Sequence, residues 1–122
     1  MGQTFQRILI KGRLARDPQF QFITNGQPVC NFAVIVNKEG KGSYIPCVAW
    51  GDKAKQIANN AVQGDLLLFD AEIVSASFES EEKGKQFYVK LQVLNDTEKN
   101  KAILQIEKKK SANEQGENVD AN

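Results

Sequence analysis

Tyr44 and Trp50 lie on one strand parity with Pro46 and Val48 between them, so in an extended segment all four side chains share a face. Two flat rings on one face form a surface on which unpaired nucleobases can stack, each contact worth about 1–3 kcal/mol. Phe78, at the end of a later alternating run, and Tyr88, off the core parity of the next, are rings of the same kind. A strand that carries bases also carries phosphates, so stacking calls for cations nearby. Arg7, Lys11, Arg13, Lys53, Lys55 and Lys90 can supply that positive potential. Taken alone, each ring fits packing better than stacking. The shared parity of Tyr44 and Trp50 brings the two readings level for that pair.

Other chemistries are poorly served. The chain has no His, which removes Ser-His-Asp and Cys-His catalysis, His-ligated metals and His proton shuttles together. Cys30 and Cys47 sit inside apolar runs at a spacing that fits neither a CxxC redox motif nor a metal site; they read as buried thiols and point to a reducing cytoplasm. Asp70 and Glu72 share a strand face and are the one carboxylate pair suited to Mg²⁺ in a nuclease. No further carboxylate is placed by spacing, so a solvated strand face is the expectation. Neither an enzyme, nor a metal, nor a cofactor is expected.

The charge balance becomes informative once it is placed along the chain. The 122 residues carry 16 Lys plus Arg against 15 Asp plus Glu, a net +1. Residues 1–64 hold eight bases and three acids, residues 65–110 eight bases and nine acids, and residues 111–122 three acids and no base. The first half can therefore attract a polyanion while the whole stays near neutral, although solvated surface charge accounts for the same numbers. The apolar runs, such as Ala33–Val36 and Leu66–Phe69, fall far short of the roughly 20 residues that span a bilayer. The N-terminus has no apolar stretch of the secretory kind, so a cytoplasmic, membrane-free protein is expected.

The elements that must position these residues follow from periodicity. Phe5–Ala15 reads as a strand with Ile8, Ile10 and Leu14 inward, Arg7, Lys11 and Arg13 outward, and Gly12 marking a bulge or a close backbone approach. Gln19–Ile23 and Pro28–Asn37 form a hairpin about Asn25-Gly26. Ser43–Trp50 is the next strand, after the polar loop Lys38–Gly42. Asp52–Val62 is the one convincing helix, with Asp52 as its cap and Gly64 suited to its stop. Asp65–Phe78 and Gln86–Leu94 are paired strands, the second placing Phe87, Val89, Leu91 and Val93 inside, and Ala102–Ile106 adds a last strand. This order predicts an all-β chain with one helix: a five-stranded OB-fold barrel, the helix between the third and fourth barrel strands. Residues 1–107 are expected to form that domain and 108–122 a disordered polar, acidic tail.

Six stretches carry a resemblance. Arg7-Ile-Leu-Ile-Lys-Gly-Arg-Leu-Ala-Arg-Asp-Pro18, Val29-Cys-Asn-Phe-Ala-Val-Ile-Val-Asn37 and Cys47-Val-Ala-Trp-Gly51, with Phe22-Ile-Thr-Asn-Gly26, Lys55-Gln-Ile-Ala-Asn59 and Gln63-Gly-Asp65, resemble bacterial and phage single-stranded-DNA-binding proteins. The resemblance runs over about residues 5–106. It implies an OB-fold that coats single-stranded DNA with little sequence preference, commonly as a homotetramer, in replication, recombination and repair. It also implies that Tyr44, Trp50 and Phe78 stack on bases, with Phe22 and Tyr88 at aromatic positions where packing is as good an account.

Two departures qualify it. The family often has a tryptophan where Gly40 stands, so fewer bases per subunit are expected to stack here, with Lys38 and Lys41 reaching phosphates from the same loop. The family's long linker and acidic Pro-Phe tip are replaced by a short tail with Glu114, Glu117 and Asp120. That puts recruitment of replication or recombination proteins in doubt and resembles a shortened phage form. A primosome-type OB-fold adaptor is the alternative; an RNA-binding cold-shock domain lacks its Phe-rich motif here.

Overall fold

The computed structural model describes residues 4–109. Its elements are β1 (Ile8–Leu14), β2 (Gln19–Phe22), β3 (Pro28–Lys38), β4 (Lys41–Trp50), α1 (Gly51–Asn60), β5 (Leu66–Ser80), β6 (Gly84–Val93) and β7 (Leu104–Glu107). The strands run β1-β3-β4-β6-β5, and β1 also pairs with β5, so five strands close a ring. All neighbours are antiparallel except β4 and β6. β2 adds to β3 and β7 to β5 as short outer strands. This is the expected OB-fold, with α1 between the third and fourth barrel strands.

Alternation decides what lies inside. Leu14, Cys30, Phe32, Val34, Cys47, Ala49, Leu67, Phe69, Ala71, Leu91 and Val93 form the core, and α1 contributes Ala54, Ile57 and Ala61. Phe32 and Phe69 meet edge to face, ring centroids 5.7 Å apart. Gly12 sits where β1 leaves β3 for β5; a Cβ there would lie 3.0 Å from the Ile35 carbonyl oxygen and 3.1 Å from Val34 Cβ, the close approach that its presence in a strand signalled. Both thiols are free and buried, and burial pushes Cys30 up to about 11 and Cys47 up to about 12, so neither is a nucleophile at neutral pH.

Three local expectations are corrected. Trp50, not Asp52, occupies the N-cap position, with no side-chain cap bond; Asp52 lies within the first turn, where its charge favours the helix N-terminus. Phe87 and Val89 are 73% and 60% exposed, not interior, because β5 and β6 run on beyond the barrel wall as a two-stranded ribbon with no opposite layer. Residues assigned to the tail begin in order: the Lys109 backbone N–H donates to Asp65 Oδ1 at 2.9 Å and Lys108 Nζ to Asp65 Oδ2 at 2.6 Å. Residues 110–122, with the rest of that expected tail, lie outside the described residues.

Candidate nucleic-acid interface

The floor of the site is the outer face of the β3–β4 pair. Register sets Val29 beside Trp50, Asn31 beside Val48, Ala33 beside Pro46 and Ile35 beside Tyr44. Val29, Ala33 and Val48 point away from the core yet are buried, so this outward surface is itself well packed. Tyr44 is 58% exposed, and Trp50 is half-buried where the strand turns into α1 through Gly51, whose φ of +65° suits glycine.

Two hairpin arms extend this floor. Because β4 and β6 are parallel, with Cys47 beside Leu91 and Val48 beside Gln92, the β3–β4 and β5–β6 hairpins leave the barrel at the same end. The same register puts Tyr88, Lys90 and Gln92 on the face of Val48. β5 continues it, with Val74 opposite Lys90, Ala76 opposite Tyr88 and Phe78 opposite Gln86. The Phe78 and Tyr88 ring centroids are 6.1 Å apart at 55°. Tyr44, Trp50, Phe78 and Tyr88 thus share one continuous outward surface. At the β3–β4 tip, Lys38 and Lys41 pair across Glu39 and Gly40, both of positive φ (52° and 81°). That two-residue turn suits Gly at 40 and disfavours a bulky aromatic there.

The cations divide. Lys55 on α1, Lys38 and Lys41 at the arm tip are exposed, and Lys90 is half-buried beside the rings. Lys53, expected as a phosphate contact, is 8% exposed: its Nζ donates to the Ala102 carbonyl at 3.2 Å and lies 3.4 Å from Asp96. It holds the β6–β7 connection against α1. Arg7, also expected at phosphate, gives its guanidinium to buried Asp70 at 2.7 Å, and this bond raises its already high pKa further. Lys11 and Arg13 point outward from β1 beside Leu68 and Leu66 of β5, two strands round the ring from β4, and Arg13 donates to the Gly64 carbonyl at 3.0 Å. The structure therefore gathers the four rings with Lys90, sets Lys38 and Lys41 at the tip of the β3–β4 arm on the parity opposite to Tyr44, and places Lys11 and Arg13 on another side.

Sequence reasoning missed the roles of two aspartates. Asp70 accepts from Arg7 and from the Ile103 N–H at 2.8 Å, and these bonds, led by Arg7, hold its carboxyl below the usual range. Burial alone would raise Asp65, but the Lys108 ammonium and the N–H groups of Lys109 and Val62 outweigh it and leave it lowered. The two carboxylates pin both ends of β7. Asp70 is thus committed, and Glu72 accepts from Gln92 at 3.3 Å, so the pair weighed as a Mg²⁺ site is occupied with protein partners. Among the described residues no group of three or more metal-ligating side chains occurs. Phe22, 61% exposed, meets Phe20 edge to face at 5.2 Å on β2. A cleft of about 480 Å³ lined by Phe5, Arg7, Glu72, Leu94 and Lys101 adjoins the Arg7–Asp70 pair and includes none of the four rings.

A small closed barrel with stacking-competent rings on one flank defines a class of nucleic-acid-binding domain. The chain belongs to the Single-strand binding protein family, which it matches over residues 5–103. That is a family of binding proteins, not enzymes. Among its relatives are a single-stranded DNA-binding protein of Halalkalibacterium halodurans, 29% identical over 93% of this chain and 68% of the relative, and one of Oceanobacillus iheyensis, 33% identical over 68% of this chain and 55% of the relative. Single-stranded DNA-binding protein A of Bacillus subtilis is 28% identical over 70% of this chain and 54% of its own. The chain thus spans about half to two thirds of the length of these relatives. No helix among the described residues is long and apolar enough to cross a membrane.

Proposed function

We propose that this chain binds single-stranded DNA without marked sequence preference, keeping it unpaired during replication, recombination and repair in a bacterial cytoplasm. One observation carries this reading: Tyr44, Trp50, Phe78 and Tyr88 lie on one outward surface that also holds Lys90, with Lys38 and Lys41 at the tip of its β3–β4 arm. The rings offer flat faces to bases that have left a duplex, while the lysines neutralise phosphates. Binding the strand and not the duplex then favours the open form by mass action. Lys55 is a further exposed cation, on the helix that follows Trp50. Lys11 and Arg13 belong to a different contact, and Lys53 and Arg7 act within the fold.

Assembly as a homo-oligomer, a tetramer by resemblance, accompanies this reading. Its support is the outer face of β1 and β5, where Leu9, opposite Asp70, is 57% exposed and shares its face with half-buried Leu66 and Leu68, apolar surface that a second copy would cover.

A titration of Trp50 fluorescence with single-stranded DNA, duplex DNA and RNA at several salt concentrations, on protein of known solution mass, tests both parts. The expected result is quenching that saturates with single-stranded DNA, an affinity that falls with salt and weak binding to duplex. Absence of single-strand binding at low ionic strength overturns the proposal, and a monomeric mass overturns assembly alone.

A further inference from the structure

Asn31 lies on β3 between Cys30 and Phe32, both core residues, so it faces outward. Its strand neighbour across β4 is Val48, and Val29, its neighbour on that face, pairs with Trp50. Asn31 is half-buried beside the buried Val29, Ala33 and Val48, with exposed Gln19 of β2 paired to it on its other side. Among the described residues its amide hydrogen-bonds to no protein group. Beyond Val48 stands Gln92, whose Nε2 donates to Glu72 Oε2 at 3.3 Å. A carboxylate can only accept, so Gln92 turns its amine to Glu72 and keeps its carbonyl Oε1 uncommitted. Two amides with free hydrogen-bonding capacity therefore flank one buried valine next to the sole tryptophan. Both amides are partly open to solvent, so water satisfies them in the free protein and the edge of a base can take that water's place.

We infer that Asn31, seconded by Gln92, forms a subsite for the Watson–Crick edge of a base stacked at Trp50. The inference rests on the single-strand binding proposed above and deepens it. Adenine, cytosine and thymine each present adjacent donor and acceptor atoms on that edge, and a terminal amide matches any of them by rotating about χ2. The subsite is therefore tolerant of sequence but not of pairing, because a duplex occupies the same atoms. Stacking makes a flat ring welcome; the amides add the requirement that its edge be free.

The test compares an oligothymidylate with an oligonucleotide of the same length whose bases are 2,4-difluorotoluene, which keeps thymine's shape and loses its hydrogen-bonding edge. The full chain should bind the natural oligomer at least about fivefold more tightly, the yield of one net hydrogen bond. Asn31→Ala should bring that ratio towards one with little change in affinity for the isostere, and Gln92→Ala should reduce it less. Equal binding of both oligomers by the unaltered chain overturns the subsite while leaving single-strand binding intact, and requires no variant to fold. A ratio unchanged in a folded Asn31→Ala protein overturns it as well. Binding of neither oligomer removes the parent reading and the subsite together.

Discussion

The barrel has two outward flanks built from the same kind of strand, and they treat charge in opposite ways. On the flank of β3, β4 and the β5–β6 arm, Lys38, Lys41 and Lys90 make no ion pair among the described residues, and Tyr44 and Phe78 are more than half exposed. At the two ends of β7 three cations are spent on the protein itself. Arg7 is bound to Asp70, Lys108 to Asp65, and Lys53 to Asp96 and Ala102. Net charge is blind to this difference. What makes a surface competent for a polyanion is the number of cations with no internal partner, not the number of cations.

The sharpest way to break the comparison is at the closed flank. Asp65 is fully buried and receives the Val62 and Lys109 N–H groups as well as the Lys108 ammonium. Asp65→Ala leaves those donors without their acceptor and should lower stability by about 3 kcal/mol in chemical denaturation, with β7 amides losing hydrogen-exchange protection first. Acid should act on the same device. Asp65 and Asp70 are both held below the ordinary carboxylate range when folded, so their contribution is complete above that range and is lost as pH falls through the depressed folded values. Thermal melts from neutral pH to below about 4 should show the unaltered chain losing more stability than an Asp65→Asn, Asp70→Asn double variant, which lacks the contribution at every pH.

On the open flank, Trp50→Ala or Phe78→Ala should weaken single-strand binding by about 1–3 kcal/mol each with little change in melting temperature. The two sites separate the floor from the arm: a loss at Trp50 with none at Phe78 would confine the strand to the barrel and leave the β5–β6 ribbon to another task.

Much of this layout was legible in the residues. Period-two alternation placed Leu14, Cys30, Phe32, Cys47 and Phe69 inside and Tyr44 and Trp50 outside, because a strand buried on one face must alternate. Parity says nothing of where the wall ends, however. Phe87 and Val89 have inward parity and are exposed because β5, at 15 residues, outruns the six positions that pair with β1; the length of that alternating run was the available signal. The fates of Lys53 and Arg7 had no local signal at all. Their partners lie 49 and 63 residues away, and only closure of the ring brings those segments together. The polar loop expected at Lys38–Gly42 is a tight turn at Glu39-Gly40, and Gly40 in the sequence is compatible with either form.

The smallest effect discriminates best between the flanks. Each phosphate neutralised on a single strand contributes about 0.7 to the slope of log affinity against log salt. Lys38→Ala and Lys41→Ala should each lower that slope by about this amount, since both ammonium groups stand at the arm tip across one turn. Lys53→Ala should leave the slope unchanged and lower stability instead, because its ammonium is already held by Ala102 and Asp96. Lys11→Ala is the decisive control. Lys11 is as charged and as exposed as the arm lysines but stands on β1 beside Leu68. An unchanged slope keeps the strand on the β3–β4–β6 flank and leaves β1 free to meet a second copy. A slope reduced as much as at Lys38 would mean that DNA crosses β1, and the leucines there would then line its path and not a subunit contact.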